Sequence, residues 1–351
     1  MQPISRRDFL KLGALALGGM AFTSYLPEFT PYDDSELARV AINSISVFKE
    51  PSDKSRIVGQ WFRDDVVRIY ETVTADTPAY NPVWYRVWGG YMHRARLQRV
   101  KLRYNPPLAV IPEKGILAEV TVPYSRAYFY NKWDGWKSTY RLYYNSVHWV
   151  KAVADGPDGQ PWYRILDELD ETTYLAPAIH LRPIPPEEMA PITTDLPFEA
   201  KRIFVNLTTQ TVTAYENDLP VFEAKISSGL SGLSTADVPT GTPVGDFNVL
   251  VKMPSKHMGI ADLAASIDAY SLPGVPWCSF FDNQDPIRGY AFHGTYWHDN
   301  YGVPMSHGCI NMRPQDAKWI FRWTRPIAAF EDINPLTLDR KGFGILVQIR
   351  S

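Results

Sequence analysis

His293 and Cys309, sixteen positions apart, are the residues of this sequence whose types and spacing suit nucleophilic chemistry. Cys309 lies in Ser306-His307-Gly308-Cys309-Ile310-Asn311, where a small residue lets backbone approach a substrate and imidazole can stabilise a thiolate. Three histidines, His293, His298 and His307, lie within sixteen residues upstream of Cys309. Attack of a thiol on an acyl carbon needs a base to take the proton, a third group to hold that base, and donors for the oxyanion. Such an attack would give acyl transfer through a thioester, which would call for no metal or organic cofactor. The second cysteine, Cys278, reads as a buried small hydrophobe rather than another nucleophile. Two cysteines are too few for a disulfide framework and lack metal-ligand spacing. A single bridge between them is disfavoured because the setting of Cys309 suits a free thiol.

The elements that must position these residues read as mainly β. The chain has 351 residues, enough for two or three domains, and its 11 Trp, 20 Tyr and 29 Pro favour strands and turn-rich connections. Thirty-six Lys and Arg against 38 Asp and Glu give a net charge of -2, which leaves no electrostatic footprint for nucleic acid. From Arg39 to Arg103, β-type runs such as Ile42–Phe48, Ile57–Phe62, Val66–Tyr70 and Trp84–Trp88 alternate with turn residues. A second segment repeats this, and the Trp-Tyr-Arg-hydrophobic piece at Trp84 returns at Trp162. These segments, 38–105 and 108–184, read as two small barrels, serving either as wall-binding modules or as a spacer. Residues 185–197 are Pro-rich and predict a stiff, extended linker. A last domain then spans 198–351, opening with Ile203, Val205 and Leu207 on one strand face and a three-stranded antiparallel start. Pro314 and Asp316 ahead of Ala317–Trp323 predict a short helix.

The stretch from His293 to Asn311 resembles the L,D-transpeptidase catalytic domain, the YkuD-like family. That family's pattern is a His-containing segment followed by Ser/Thr-His-Gly-Cys-hydrophobic-Asn/Arg, and twelve residues separate His293 from Ser306 here. Upstream, Ser227-Ser228-Gly229-Leu230 and Pro239-Thr240-Gly241-Thr242-Pro243-Val244-Gly245-Asp246-Phe247 look like the family's Ser-Gly and Thr-Pro-x-Gly-x-Phe segments, so the likeness runs from about Ala200 to Gln348. It implies a β-sandwich catalytic domain with one or two short helices. It also implies Cys309 as nucleophile, His293 as general base and acid, and the Gly294 carbonyl as the group orienting the imidazole. The oxyanion pocket would use the backbone of Gly308 and Cys309, with His307 lining it. The implied substrate is a peptidoglycan stem peptide, cross-linked to a neighbouring stem through the Cys thioester; water in place of the acceptor amine would make a carboxypeptidase or wall-peptide hydrolase. A reading from another class is a non-catalytic wall-binding protein, against which the intact His293 and Cys309 argue. The order of pieces in 38–105 likewise resembles the bacterial SH3-like domain, giving two small SH3-like barrels ahead of the catalytic domain.

Other residues have both a substrate-site and a structural reading. Ser306, Asn311, Tyr296, Trp297 and Tyr290 suit a stem-peptide groove, although the aromatics, like Trp277, equally suit a core. Asn311 also suits a role holding its loop by backbone hydrogen bonds. His257, in Met253–Gly259, reads as part of a lid over the cleft or of a surface loop. His298 and Asp299 either face substrate or are solvated. Finally, residues 1–30 place Arg6-Arg7 ahead of the apolar run Leu12–Phe22 and resemble a twin-arginine export signal. The protein is therefore read as exported to the wall or periplasm, with an uncleaved signal as an alternative membrane tether; oligomeric state is not legible.

Overall fold

Alternation of apolar and polar residues over four to nine positions, broken by turns, gives strands in all three stretches where the sequence predicts them. The computed structural model describes residues 36–230, 234–235, 238–259, 271–282, 289–328, 330, 333–337 and 344–351. The signal-like segment at 1–30 lies outside the described residues. Among the described residues the chain is mainly β with one α-helix, and no helix is long and apolar enough to cross a membrane.

The first module contains β1 (Leu37–Val40), β2 (Ser44–Phe48), β3 (Ile57–Phe62), β4 (Val66–Arg68), β5 (Glu71–Thr74), β6 (Val83–Val87), β7 (Gly90–His93) and β8 (Leu97–Val100). They form two sheets, β4-β1-β8 and β3-β2-β7-β6-β5, closed on Val40, Val47, Met92 and Leu97. The second module contains β9 (Ile116–Val120), β10 (Tyr124–Asn131), β11 (Gly135–Tyr143), β12 (Val147–Asp155), β13 (Pro161–Asp167), β14 (Thr172–Pro177) and β15 (Leu181–Pro183). These make one sheet, β11-β10-β14-β13-β12-β9-β15, around Val120, Tyr163 and Ile165. The Trp-Tyr-Arg-hydrophobic piece lies in β6 and again in β13, with Trp and Tyr buried, Arg exposed and the last residue buried both times.

The third module contains β16 (Lys201–Asn206), β17 (Thr211–Glu216), β18 (Leu219–Lys225), β19 (Ser234–Thr235), β20 (Val238–Pro239), β21 (Gly245–Asn248), β22 (Val251–Gly259), β23 (Ser271–Asp282), β24 (Tyr290–Gly294), β25 (Ile310–Met312), α1 (Pro314–Trp323) and β26 (Leu346–Arg350). The antiparallel β16-β17-β18 start is present, and β26 joins β16 in parallel to complete β18-β17-β16-β26-β21. A second sheet, β22-β23-β24-β25, faces it across a core of Ile203, Val205, Val347, Phe281 and Phe292. The helix starts at Pro314, whose missing N–H costs nothing in a first turn, and packs Ala317, Ile320 and Phe321 inward against β23 and β24. Its carboxyl end is held by two buried lysines: Lys201 Nζ donates to Trp323 O at 3.3 Å and Lys252 Nζ to Thr324 O at 2.7 Å.

The Pro-rich segment 185–197, read from sequence as a stiff, extended linker, packs on the third module. Ile184 and Met189 bury in the third module's core, and Ile192 N–H donates to Arg322 O at 3.2 Å. Glu188 binds Arg182 and Lys318, and the Arg182 hydrogen bonds foremost hold its carboxyl well below the usual range. Proline count cannot show this, because docking is decided by Ile184, Met189 and Ile192, apolar residues beside and between the prolines. The same core takes in Leu117, Val147 and Trp149 from the second module, so residues 34–351 form one compact unit.

Candidate active site

Strands β24 and β25 run parallel, with Phe292 opposite Ile310 and His293 opposite Asn311. Side chains paired across strands share a sheet face, so His293 and Asn311 point the same way. Cys309 directly precedes β25, and the Ala291 amide hydrogen-bonds its sulfur. The strand carrying the thiol is held on its other side by Ser227, which exchanges two backbone bonds of 2.9 Å with Asn311. Parallel pairing of neighbouring strands thus brings residues sixteen apart in sequence to one end of the sheet.

The loop before Cys309 is built from hydroxyls and glycine. Ser306 Oγ accepts the Gly308 N–H at 3.1 Å and donates to Cys309 O. Thr242 Oγ1 donates to Gly308 O at 2.7 Å and accepts the Gly229 N–H at 2.8 Å, tying both upstream motifs to the Cys309 loop. Gly308 has φ +122° and lies under Tyr290, whose Cε1 would be 2.5 Å from an added Cβ. Only glycine meets both demands.

Burial favours the uncharged form of both the Cys309 thiol and the His293 imidazole. The Cys309 thiol is pushed up to about 11 by burial, offset in part by the Ala291 N–H. His293 is pushed down to about 4, again by burial, with its bond to Gly294 acting the other way. His293 Nδ1 lies 3.1 Å from Gly294 O; a carbonyl only accepts, so Nδ1 carries the proton and Nε2 is the basic nitrogen. The sequence suggests an ionised sulfur beside the imidazole, whereas the folded site rests as neutral thiol and neutral imidazole. The reason is desolvation, which residue types do not reveal.

The remaining sequence-derived residues divide by location. Tyr290 and Trp297 are half-buried at the site, with the Trp297 and His293 rings 5.7 Å apart, and His307 is exposed beside Cys309. Ser306 and Asn311 are buried within the loop and strand. Tyr296 turns inward, donating to Pro273 O at 2.9 Å with its ring against Tyr143. His257 is neither lid nor surface loop: it lies within β22, buried, bonded to Asp167 Oδ1 at 2.8 Å and Ser271 Oγ at 2.7 Å, at the contact with the second module. His298 is buried rather than solvated. Its Nδ1 accepts the Asn300 N–H at 3.1 Å, so Nε2 carries the proton. The Asn311 amide atom facing that Nε2 at 3.0 Å is accordingly the oxygen, an orientation that also partners an otherwise orphaned Oδ1. Asp299 accepts the Arg99 N–H, and its carboxyl is raised to about 6 by burial. Cys278 is fully buried and both cysteines are free thiols. Trp277 packs on Phe321 in the core. Among the described residues no group of three His, Cys, Asp or Glu side chains could hold a metal.

Sequence reasoning assigned no role to Thr242, and it missed Ser227 as a pairing partner and the docking of loop 295–305 on the first module. Only the Thr-Pro and Ser-Gly segments gave a signal for the first two. Nothing local marks the third, because its partners lie some two hundred residues upstream.

Residues 200–331 match the model of the YkuD family, the L,D-transpeptidase catalytic domain. No curated protein matches the chain. Similar solved structures include an L,D-transpeptidase from Xylanimonas cellulosilytica (21% identity, 43% of this chain and 61% of that one, TM-score 0.31). An L,D-transpeptidase from Mycobacterium smegmatis shows 20% identity over 43% of this chain and 59% of that one, TM-score 0.31. L,D-transpeptidase 3 from Mycobacterium tuberculosis, solved with a faropenem-derived adduct, shows 20% identity over 43% and 60%, TM-score 0.30. The chain spans about three fifths of the length of each of these solved chains.

Proposed function

We propose that this protein is a peptidoglycan L,D-transpeptidase with Cys309 as nucleophile and His293 as its base. The observation that carries the reading is the parallel pairing of the strand bearing His293 with the strand that begins directly after Cys309, inside the segment matched by the family model. In the first half-reaction His293 Nε2 takes the thiol proton as Sγ bonds to the carbonyl carbon between the diamino acid and terminal D-alanine of a tetrapeptide stem. The tetrahedral oxyanion collapses, the C–N bond breaks, and the imidazolium returns its proton to the departing D-alanine amine. In the second half-reaction a side-chain amine of another stem attacks the thioester, His293 accepts its proton, and the new amide releases the thiol. One amide is exchanged for another, so neither metal nor organic cofactor enters. The tautomer set by Gly294 O leaves Nε2 free for both transfers. The Cys309 N–H, with the exposed His307, would serve the developing oxyanion; Gly308 N–H, the other donor assigned from sequence, is engaged by Ser306 Oγ.

The reading includes export of the chain through its twin-arginine-like segment, with the wall or periplasm as workplace. The test is incubation with tetrapeptide stems, separating cross-linked dimers from trimmed monomers. Dimers plus an intact-mass adduct on Cys309, both lost in Cys309→Ala, support it. Trimmed monomers alone identify a carboxypeptidase, and no adduct refutes the nucleophile.

A further inference from the structure

The loop joining the base to the nucleophile, residues 295–305, is bound by the first module. Asp299 N–H donates to Leu97 O at 3.1 Å, the edge of β8. Asn300 is almost wholly buried, and its Oδ1 accepts from Asn81 Nδ2 at 2.8 Å and Arg94 Nε at 3.0 Å. Arg94 also donates to Tyr301 O at 3.1 Å. From Asn300 the bonding continues inward along two routes. Its N–H donates to His298 Nδ1, whose Nε2 meets Asn311; its carbonyl accepts Ser227 Oγ at 2.9 Å. Both routes end on the strand that carries Cys309, since Ser227 pairs with the backbone of Asn311 and Asn311 lies opposite His293.

We propose that Arg94 and Asn81 of the first module, acting through Asn300, are positioning residues for the Cys309–His293 pair, so that this module is part of the catalytic apparatus rather than a tether or spacer. The inference rests on the reading above in taking Cys309 as nucleophile. None of the three residues touches the sulfur. They act by fixing two hydrogen-bond routes to the strand that follows it, and a buried hydrogen-bonded network allows fewer geometries than a loose loop. Without those bonds a loop of eleven residues containing no helix or strand would sample conformations that separate thiol from base.

The test uses the full chain with Arg94→Met, Asn300→Leu and Asn300→Asp; the last keeps an acceptor for Arg94 and Asn81. Two rates are read, turnover of tetrapeptide stems and acylation of Cys309 by faropenem, with circular dichroism melts to establish folding. Arg94→Met and Asn300→Leu are expected to lower kcat and the acylation rate on the order of 10- to 100-fold, the scale of a misplaced reacting group, with KM little changed. Asn300→Asp is expected to restore most of both. Wild-type rates in either folded loss variant, or Asn300→Asp no better than Asn300→Leu, overturn the assignment. If Asn300→Leu does not fold, Arg94→Met and Asn300→Asp decide it alone. Wild type that is acylated but forms no cross-links refutes the transpeptidase reading while leaving acylation to judge this one. Wild type that is never acylated refutes both.

Discussion

Cys309 and His293 rest uncharged, and this fixes how the site responds to pH. The imidazole must be neutral to accept the thiol proton, and its pKa is lowered to about 4. kcat/KM is therefore expected to hold through neutrality and to fall only as pH drops through about 4, with the alkaline change near the thiol's own ionisation at about 11. An acid limb near 6.5, the value of a solvated histidine, would refute this. Thr242 offers a second check at this scale. Thr242→Val keeps shape but removes the donor to Gly308 O and the acceptor for Gly229 N–H. The cost is expected at about 1–3 kcal/mol in urea unfolding, the usual penalty for stranding buried polar groups. Cys309 and His293, the proposed nucleophile and base, stand out in the sequence because one short motif and one upstream histidine mark them. Thr242 was visible only as a member of a segment, since its role appears when two motifs about ten residues apart meet a third.

Helix α1 was legible as an element, its start marked by Pro314 and Asp316, but its other end is a tertiary construction. Lys252 is buried against Phe321 and its pKa falls to about 7, through burial first and the charge of Lys201 second. The unfolded chain holds that proton up to about 10.4. Between these values the unfolded state binds the extra proton, so stability rises with pH across the window from about 7 to about 10. Lys252→Met is expected to flatten that rise, measured as the difference between wild-type and variant denaturation midpoints at pH 7 and pH 9. An unchanged slope would place the charge elsewhere. His257 shows the reverse case: Met253–Gly259 contains Pro254, Ser255 and Gly259, which locally read as loop. Yet β23 supplies the pairing, and the second module's Asp167 satisfies the imidazole, so strand prevails over local propensity.

At the scale of the molecule, Arg39 joins all three modules. Its guanidinium bonds Gln98 and Asp64 in the first, stacks 3.9 Å over Tyr143 of the second, and donates to Tyr296 O of the third at 2.8 Å. Arg39→Ala leaves Asp64 with Arg141 alone and is expected to cost about 3 kcal/mol, the lower range for breaking a buried ion pair. Residues 198–351 expressed alone would expose the patch covered by Leu117, Val147 and Trp149; dye binding to apolar surface and a lowered melting point are expected. A fragment that melts like the whole chain would show the modules to be independent. By itself the sequence determined the β class, the segments that pair locally, the helix start and the choice of Cys309 and His293 as the candidate pair, because each depends on neighbours within a few residues or on one contiguous motif. The tertiary structure alone decided the neutral resting state of the pair, the docking of the 185–197 segment, the interior place of His257 and the support of the active-site loop by the first module. Those depend on desolvation and on hydrogen bonds between residues tens to hundreds of positions apart, and neither is written in local order.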